Sequence, residues 1–386
     1  MIHTVWPWLA LMLLCAGLFP ALERRTGWRV FSILPPIVLL YLAVTALAAL
    51  GAWQVNDEIR AAQAMLVARL VPALVFLLMI DCDLRAVLAL GPRVLAVFFA
   101  TTVSLFLAFL ATFLLYRHWL PGDAWQPLAA LSGSWVGGTA NMIAVKQAID
   151  MPDSLLAMSL LTDALCYSMW FAVLFSVGRL APAFNRWTRA RASAECIEEI
   201  ASERAPTRPE NVLLWLGMAL AVAGACAWLA ARMPSGGIVG PSTWTILLAT
   251  GAGLVAAQTP LARFPGSAPI ASTLLLAIVA VLASQSNFHG LGEAPLYLLC
   301  GVTVIALHAG LLALAARAFH FDLHLCGIAS LAHIGGVAAT PILAASYARA
   351  LVPVGVLLAL LGYALGTGFG LVVASILSRL ALPGSP

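Results

Sequence analysis

Ser132-Gly-Ser-Trp-Val-Gly-Gly138 and Ser330-Leu-Ala-His-Ile-Gly-Gly336 each interrupt an otherwise apolar segment, and each does so at the fifth hydrophobic segment of its half of the chain. A second pair of matching stretches follows them. Leu161-Thr-Asp-Ala-Leu165 aligns with Leu361-Gly-Tyr-Ala-Leu365, two residues out of register with the first pair, so that one small gap separates two aligned blocks. In both halves the interrupted segment precedes an unbroken one. The chain therefore reads as two related halves, each with one broken helix. Corresponding Gly-interrupted segments are the device by which membrane carriers place unwound backbone and half-helix ends at mid-bilayer, where these replace water around an ion or substrate.

Composition fixes the solvent. Of 386 residues 62% are hydrophobic and 9% charged, and the mean hydropathy is +1.00. A soluble domain carries about a quarter charged residues, so this surface faces hydrocarbon. Apolar blocks lie near 4–22, 30–52, 63–80, 93–116, 126–150, 154–179, 211–231, 242–258, 268–286, 294–318, 323–350 and 352–379. The longer of them reach the roughly 20 residues that a helical crossing needs. Their unbroken apolar character argues against the alternating pattern of a β-barrel. Met1 to Leu22 lacks a basic start and a cleavage site, and reads as a retained first span. The seven cysteines are dispersed, never two or three apart, and read as apolar filler. The net charge of +4 comes mainly from arginines at span ends, which points to topology and away from nucleic acid.

One charged stretch divides the chain. Residues 181–210 hold Arg186, Arg189, Arg191, Arg204 and Arg208 with Glu195, Glu198, Glu199, Glu203 and Glu210. We read 1–180 as the first membrane repeat (broken helix 126–150), 181–210 as a cytoplasmic linker, and 211–386 as the second repeat (broken helix 323–350). Arg24, Arg25 and Arg29 also favour a cytoplasmic first loop. Five crossings between that loop and the linker would put them on opposite faces, so a segment is miscounted or one broken segment does not cross. An odd number of crossings per half makes the repeats inverted, which is the arrangement we expect, with 11–13 transmembrane segments in an all-α fold.

Few residues inside the spans carry chemistry. Asp163 stands in a segment that is otherwise apolar from Leu155 to Val177, with Thr162 before it. A lone acid there costs several kcal/mol, and proton or sodium binding is the usual reason for its presence. Gly137, Gly138, Thr139 and Asn141 offer permissive backbone and neutral oxygens that suit a hard cation. On the other side His333, Gly335, Gly336 and Thr340, before Pro341, offer an imidazole, a hydroxyl and a second break. Each group alone also reads as a kink that packs small residues. Lys146 and Gln147 follow the first break, where a cation holds an anionic substrate or else snorkels to the interface. Ser134, Trp135, Ser346 and Tyr347 are weaker substrate candidates. His308 reads equally as a proton relay or as a hydrogen-bonded interior histidine. His320, Asp322 and His324 read as solvated interface rather than a metal site, and Asp81, Asp83 and Arg85 as a helix end. No Walker loop, nucleotide fingerprint, nucleophile elbow or zinc motif is present.

At Gly137-Gly-Thr-Ala-Asn141, at Ala329-Ser-Leu-Ala-His-Ile-Gly-Gly336 with Thr340, and at Leu361-Gly-Tyr-Ala-Leu-Gly366, the sequence resembles the bacterial and plastid membrane family known as domain of unknown function 819, over nearly its whole length. That family is grouped with the cation:proton antiporter and anion transporter superfamily. The resemblance implies a panel domain and a core domain with two crossed, discontinuous helices, and it places Thr162-Asp163 where sodium/proton antiporters carry their acidic pair. Thr162 in place of a first acid leans toward coupled movement of a small organic or anionic solute. The expectation is a multi-pass bacterial inner-membrane carrier that uses Na⁺ or H⁺ and no other cofactor, can pair as a homodimer, and is not an enzyme. The alternatives are a cation/proton antiporter, a membrane enzyme on a lipid-linked substrate, and a receptor or scaffold.

Overall fold

The computed structural model describes residues 2–28, 31, 36–80, 84–190, 208–234, 240–284, 294–348 and 351–381. Asp81, Asp83, Cys82, Cys196 and the acidic centre of the linker lie outside the described residues. Those described are helical throughout, apart from connections and one isolated bridge between Ile2 and Trp53.

The first half contains α1 (Val5–Thr26), α2 (Pro36–Ala49), α3 (Asp57–Met79), the short α4 (Leu84–Leu88), α5 (Pro92–Tyr116), α6 (Trp125–Gly137), α7 (Thr139–Ala148), α8 (Asp153–Val177) and α9 (Ala181–Thr188). The second half contains α10 (Pro209–Ala230), α11 (Pro241–Ala257), α12 (Ser267–Ala283), α13 (Ala294–Phe319), α14 (Leu323–Ile334), α15 (Gly336–Tyr347) and α16 (Val352–Leu380). Among the described residues, every apolar block expected from the sequence contains a helix. Among the described residues seven helices are long and apolar enough to cross a membrane, α8 with α9 counting as one, and α2, α11, α12 and α14 are shorter apolar helices.

Helix boundaries follow local chemistry. Pro occupies the first turn of α5, α10, α11 and α16, where a missing N–H costs nothing. The side chains of Asn56 and Asp322 accept from the Ile59 and Leu325 amides and cap α3 and α14. Both interruptions occur where the sequence has paired glycines. Gly138 adopts φ 79° and ψ 172°, and Gly336 adopts φ 63°. A side chain at either position would meet the left-handed penalty of roughly 1–2 kcal/mol, so α6 stops and α7 restarts in a new direction, and likewise α14 and α15.

The helices sort into two groups. An outer group contains α1, α2, α3, α10, α11 and α12, in which α1 packs on α12 and α10 packs on α3. An inner group contains α5, the two broken helices, α8, α13 and α16, in which α16 packs on α6 and α5 on α13. Likewise α2 packs on α12 and α11 on α3. Helix α7, together with α16, is where the inner group meets α3 and α11 of the outer one.

Candidate functional site

Small residues let α16 lie directly on α6. Gly362, Gly366 and Gly370 form a stripe at four-residue spacing opposite Gly133 and Gly137, a small-residue face of the kind that brings membrane helices into backbone contact. A methyl added at Gly366 would stand 2.7 Å from the Gly137 Cα and 2.8 Å from its nitrogen. This closeness carries Tyr363 into the space between the two interruptions. A methyl on Gly138 would lie 2.9 Å from the Tyr363 Cε1, and one on Gly336 would lie 3.4 Å from the same atom. Both breaks therefore face one phenol ring. Next to it, Gly362 is approached by the carbonyls of Val136 and Ala332, from the ends of α6 and α14.

The unbroken helix α8 presents a second stripe. Asp163, Tyr167 and Trp170 lie at i, i+4 and i+7, on one helical face, and this face stitches α8 to both broken helices. Asp163 accepts from Ser134 Oγ at 3.1 Å and from Trp135 Nε1 at 2.9 Å, both at the end of α6. The ring of Tyr167 borders Gly335, whose added methyl would meet Cε2 at 2.9 Å. Trp170 Nε1 donates to Ser330 Oγ at 2.9 Å. The Asp163 carboxylate is partly buried, and among the described residues no Lys or Arg forms an ion pair with it. A carboxylate without an ion-pair partner among the described residues, beside a helix interruption, is suited to taking up a cation or a proton.

Asn141 is engaged at both ends. Its Nδ2 donates to the Gly137 carbonyl at 2.5 Å, closing the end of α6, and its Oδ1 accepts from Thr367 on α16. Asn141 thereby serves a carbonyl at the end of α6, where intrahelical partners run out. The Thr340 hydroxyl donates to the Gly336 carbonyl at 2.7 Å, a back-bond within the first turn of α15. Thr139 is partly exposed at the first turn of α7, and Thr162 is buried against Gly301 of α13.

The two histidines are buried and bonded. His333 Nδ1 lies 2.8 Å from the Ala329 carbonyl and so carries hydrogen, while Nε2 lies 2.8 Å from Thr102 Oγ1, and the ring rests on Phe98. His308 sits in a directed chain. The Trp170 indole can only donate, so the Ser330 hydroxyl accepts from it and turns its own hydrogen to His308 Nε2 at 2.9 Å. His308 Nδ1–H then donates to Ser104 Oγ at 2.7 Å, whose hydrogen goes to the Thr101 carbonyl. Because an indole closes the chain at one end and a peptide carbonyl at the other, it ties α5, α8, α13 and α14 together and offers no exit for a proton.

Lys146 forms an ion pair with Asp153 Oδ1 at 2.5 Å, with the lysine buried. Gln63 Nε2 of α3 donates to Asp153 Oδ2 at 2.6 Å, and Tyr41 of α2 donates to the Asp153 carbonyl at 2.9 Å. This cluster fastens the α7–α8 connection to the outer group, and it takes up the charge that the sequence had offered to a substrate or to the interface. Gln147 lines a separate cavity of about 330 Å³ with Arg69, Ser242 and Thr245. Tyr347 donates to the Leu174 carbonyl and stacks on His324 at 4.5 Å, and Ser346 donates to the Leu343 carbonyl of its own helix, so both are spent on α15 and its neighbours. The His320, Asp322 and His324 trio is pulled apart: His320 Nδ1 meets the Thr188 carbonyl and Asp322 caps α14. Arg85 lies on α4, and Cys15, Cys166, Cys226, Cys300 and Cys326 are free and buried.

The structure thus gathers Asp163, Ser134, Trp135, Gly137, Gly138 and Asn141 at one break and Gly335, Gly336, His333 and Thr340 at the other. It adds Tyr363, Tyr167, Thr367, Thr102 and Ser330, and leaves Lys146, Gln147, Ser346 and Tyr347 elsewhere. Tyr363 carried one usable signal: in the aligned blocks it occupies the place of Asp163. The chain belongs to DUF819, a family of proteins of unknown function, whose profile matches residues 10–380. No curated protein matches it in sequence.

Proposed function

We propose that this DUF819 member is a secondary transporter of the bacterial inner membrane, moving a small organic or anionic solute by alternating access with Na⁺ or H⁺ as the coupling ion. One observation carries the reading: both helix interruptions face Tyr363, and the unpaired carboxylate of Asp163 is held at the first of them by Ser134 and Trp135. A site built in this way has the elements that alternating-access carriers use at mid-bilayer. Asp163 is the ion ligand, with Thr139 and Thr162 as neighbouring hydroxyls. The exposed amides and carbonyls near Gly138 and Gly336 receive the solute, with Tyr363 between them. Asn141, Thr340 and His333 act one step away, by keeping the interruptions open. Lys146 is not assigned to the solute.

The reciprocal packing of the halves supports a repeat, and we place it in inverted orientation, within the cation:proton antiporter and anion transporter superfamily. In this scheme the inner group moves against the outer one, and the Lys146–Asp153–Gln63 cluster is the connection that the motion must strain or carry along.

Proteoliposomes that enclose pH- and Na⁺-sensitive dyes test the proposal against a panel of small carboxylates and amino acids. At least one solute is expected to drive ion entry, and an imposed ion gradient to drive uptake of that solute. Ion movement that is indifferent to every solute, with solute uptake indifferent to both gradients, contradicts it. Ion exchange without any solute assigns the chain to cation/proton antiport instead, and a product formed in detergent, with no compartment at all, assigns it to enzymes.

A further inference from the structure

Both interrupted segments fold back on themselves. A methyl on Gly133 of α6 would meet Val145 Cγ2 of α7 at 2.8 Å, whereas a continuous helix would hold positions 133 and 145 roughly 18 Å apart. In the second segment, a methyl on Gly355 of α16 would meet Ile328 of α14 at 3.5 Å and Ala344 of α15 at 3.4 Å, and one on Gly327 would meet the Tyr347 hydroxyl at 3.0 Å. The limbs have 13 and 10 residues in one segment and 12 and 12 in the other. Each limb therefore reaches roughly 15–20 Å, short of a hydrocarbon core of ~30 Å. Each segment is a hairpin, in place of the crossed, discontinuous helices that the family resemblance implies.

The hairpins come from opposite ends of α8 and α16. Pro127, in the first turn of α6, accepts from Ser159 near the start of α8, and residues 149–152 join α7 to that same start. Tyr347, which ends α15, donates to the Leu174 carbonyl near the end of α8, and Asn185 of α9 accepts from the Leu323 amide at the start of α14. Along α16, Gly355 meets both limbs of the second hairpin, Gly370 meets Val145 and the Ala129 carbonyl of the first, and Tyr363 lies between. A hairpin does not change side. The Ile2 amide bonds to the Ala52 carbonyl at 3.0 Å, which returns the end of α2 to the face where α1 starts. Crossings by α2, α3, α5 and α8 then place Arg24 and Arg25 on the same face as Arg186, Arg189 and Arg208, as a cytoplasmic excess of arginine requires.

The two hairpins are unequally enclosed. On α7 every residue from Ala140 to Lys146 is buried, and α3 and α11 of the outer group cover it. On α15, Ile342 is 59% exposed and Ala345 and Ser346 are exposed, and this limb packs on α14, α16 and α8. Among the described residues its hydrogen bonds to other helices are that of Tyr347 to the Leu174 carbonyl and that of the Val337 amide to the Tyr363 hydroxyl. Both of its ends are jointed, by Gly336 at φ 63° and by Ala348, which is extended at φ −162° and ψ 135°. We infer, on the carrier reading above, that α15 is the gate of the Tyr363 site on the arginine-rich face, swinging from α16 about Gly336 and Ala348 while the enclosed α6–α7 hairpin stays in place. Opening parts the Val337 amide from the Tyr363 hydroxyl, which frees the amide end of α15 for the solute as access is gained.

Cysteine labelling of the full chain in right-side-out and inside-out vesicles tests the inference, with a membrane-impermeant maleimide and with labelled positions read by peptide mass spectrometry, which separates introduced thiols from native ones. Asp123→Cys and Pro152→Cys, before and after the first hairpin, are expected to label from one face, and Ser346→Cys and Arg186→Cys from the other. Labelling of Asp123→Cys and Pro152→Cys from opposite faces overturns the hairpins. For the gate, Ala344→Cys with Gly355→Cys would set Cβ atoms 3.4 Å apart, close to the ~3.8 Å of a disulfide, and oxidation pins α15 to α16. Thr139→Cys, partly exposed beside Gly138, is expected to react from the Arg186 face when this pair is reduced, and about tenfold more slowly when it is oxidised, because reaction follows the open population. Tyr347→Phe, which needs no oxidation, is expected to speed the same reaction about fivefold through loss of one hydrogen bond. Rates that neither change alters, or reaction from the opposite face alone, overturn the gate. The expected labelling in a chain that moves no solute upholds the gate and contradicts the carrier, so the two readings fail separately.

Discussion

Asp163→Asn is expected to abolish gradient-driven solute flux, by about a hundredfold or more, while leaving a folded protein. The two halves of this expectation have separate physical grounds. The amide is nearly isosteric with the carboxylate and can keep its neighbours: Oδ1 accepts from Trp135 Nε1, which can only donate, and Nδ2 faces Ser134 Oγ, whose hydroxyl can turn to accept. What the substitution removes is the negative charge. An interaction with a charged partner contributes about 1.5–3 kcal/mol, and every 1.4 kcal/mol is tenfold in affinity, so loss of the coupling ion follows. Transport assays on vesicles containing equal amounts of folded protein measure this. Flux retained within a few-fold removes Asp163 from the ion site.

Gly366→Ala is expected to be strongly destabilising, because its methyl meets backbone across the α6–α16 contact. The added carbon would press on the Cα and nitrogen of Gly137 at 2.7 and 2.8 Å, and on the Asn141 side chain at 2.9 Å. Backbone cannot swing aside as a side chain does, so α16 must retreat from α6, and Tyr363 with it. Overpacking of this kind costs about 1–3 kcal/mol, and we expect the upper end. Gly368→Ala, two residues along the same helix, has open space around it. There the change is expected to be neutral or to stabilise by about 0.5–1 kcal/mol through helix propensity. Melting temperatures of the two variants in one detergent compare them directly, and a similar fall for both contradicts the close α6–α16 contact.

The sequence made the frame of this molecule legible because bilayer solvent leaves strong marks. Apolar length locates the helices and paired glycines locate their interruptions, to within a few residues at Gly138 and Gly336. Asp163, Ser134 and Trp135 were each nominated, since a lone acid and polar groups at a break stand out in an apolar chain. Their mutual bonds were not legible, because nothing in spacing says that residues 28 and 29 positions apart meet across two helices. Lys146 shows the same limit. Its partner Asp153 looks in sequence like an ordinary acid at a helix start, and only folding shows that the pair is buried and joined by Gln63 of another helix. Thr367 and Thr102 carry no periodic or compositional signal at all. Tyr363 was visible only as an apolar-looking match to Asp163, although it stands where the two breaks meet.

The central claim is that the carboxylate of Asp163, held at the end of α6, captures the coupling ion. Thermal unfolding of the purified protein across Na⁺ concentration and pH measures that capture without any need to know the solute. A ligand held only by the folded state stabilises it by about 2.7 kcal/mol at one hundred times its Kd. The account predicts that Na⁺ or acidification raises the melting temperature of the unaltered chain and leaves that of Asp163→Asn where it was. An equal rise in both proteins, or none in either, would contradict it.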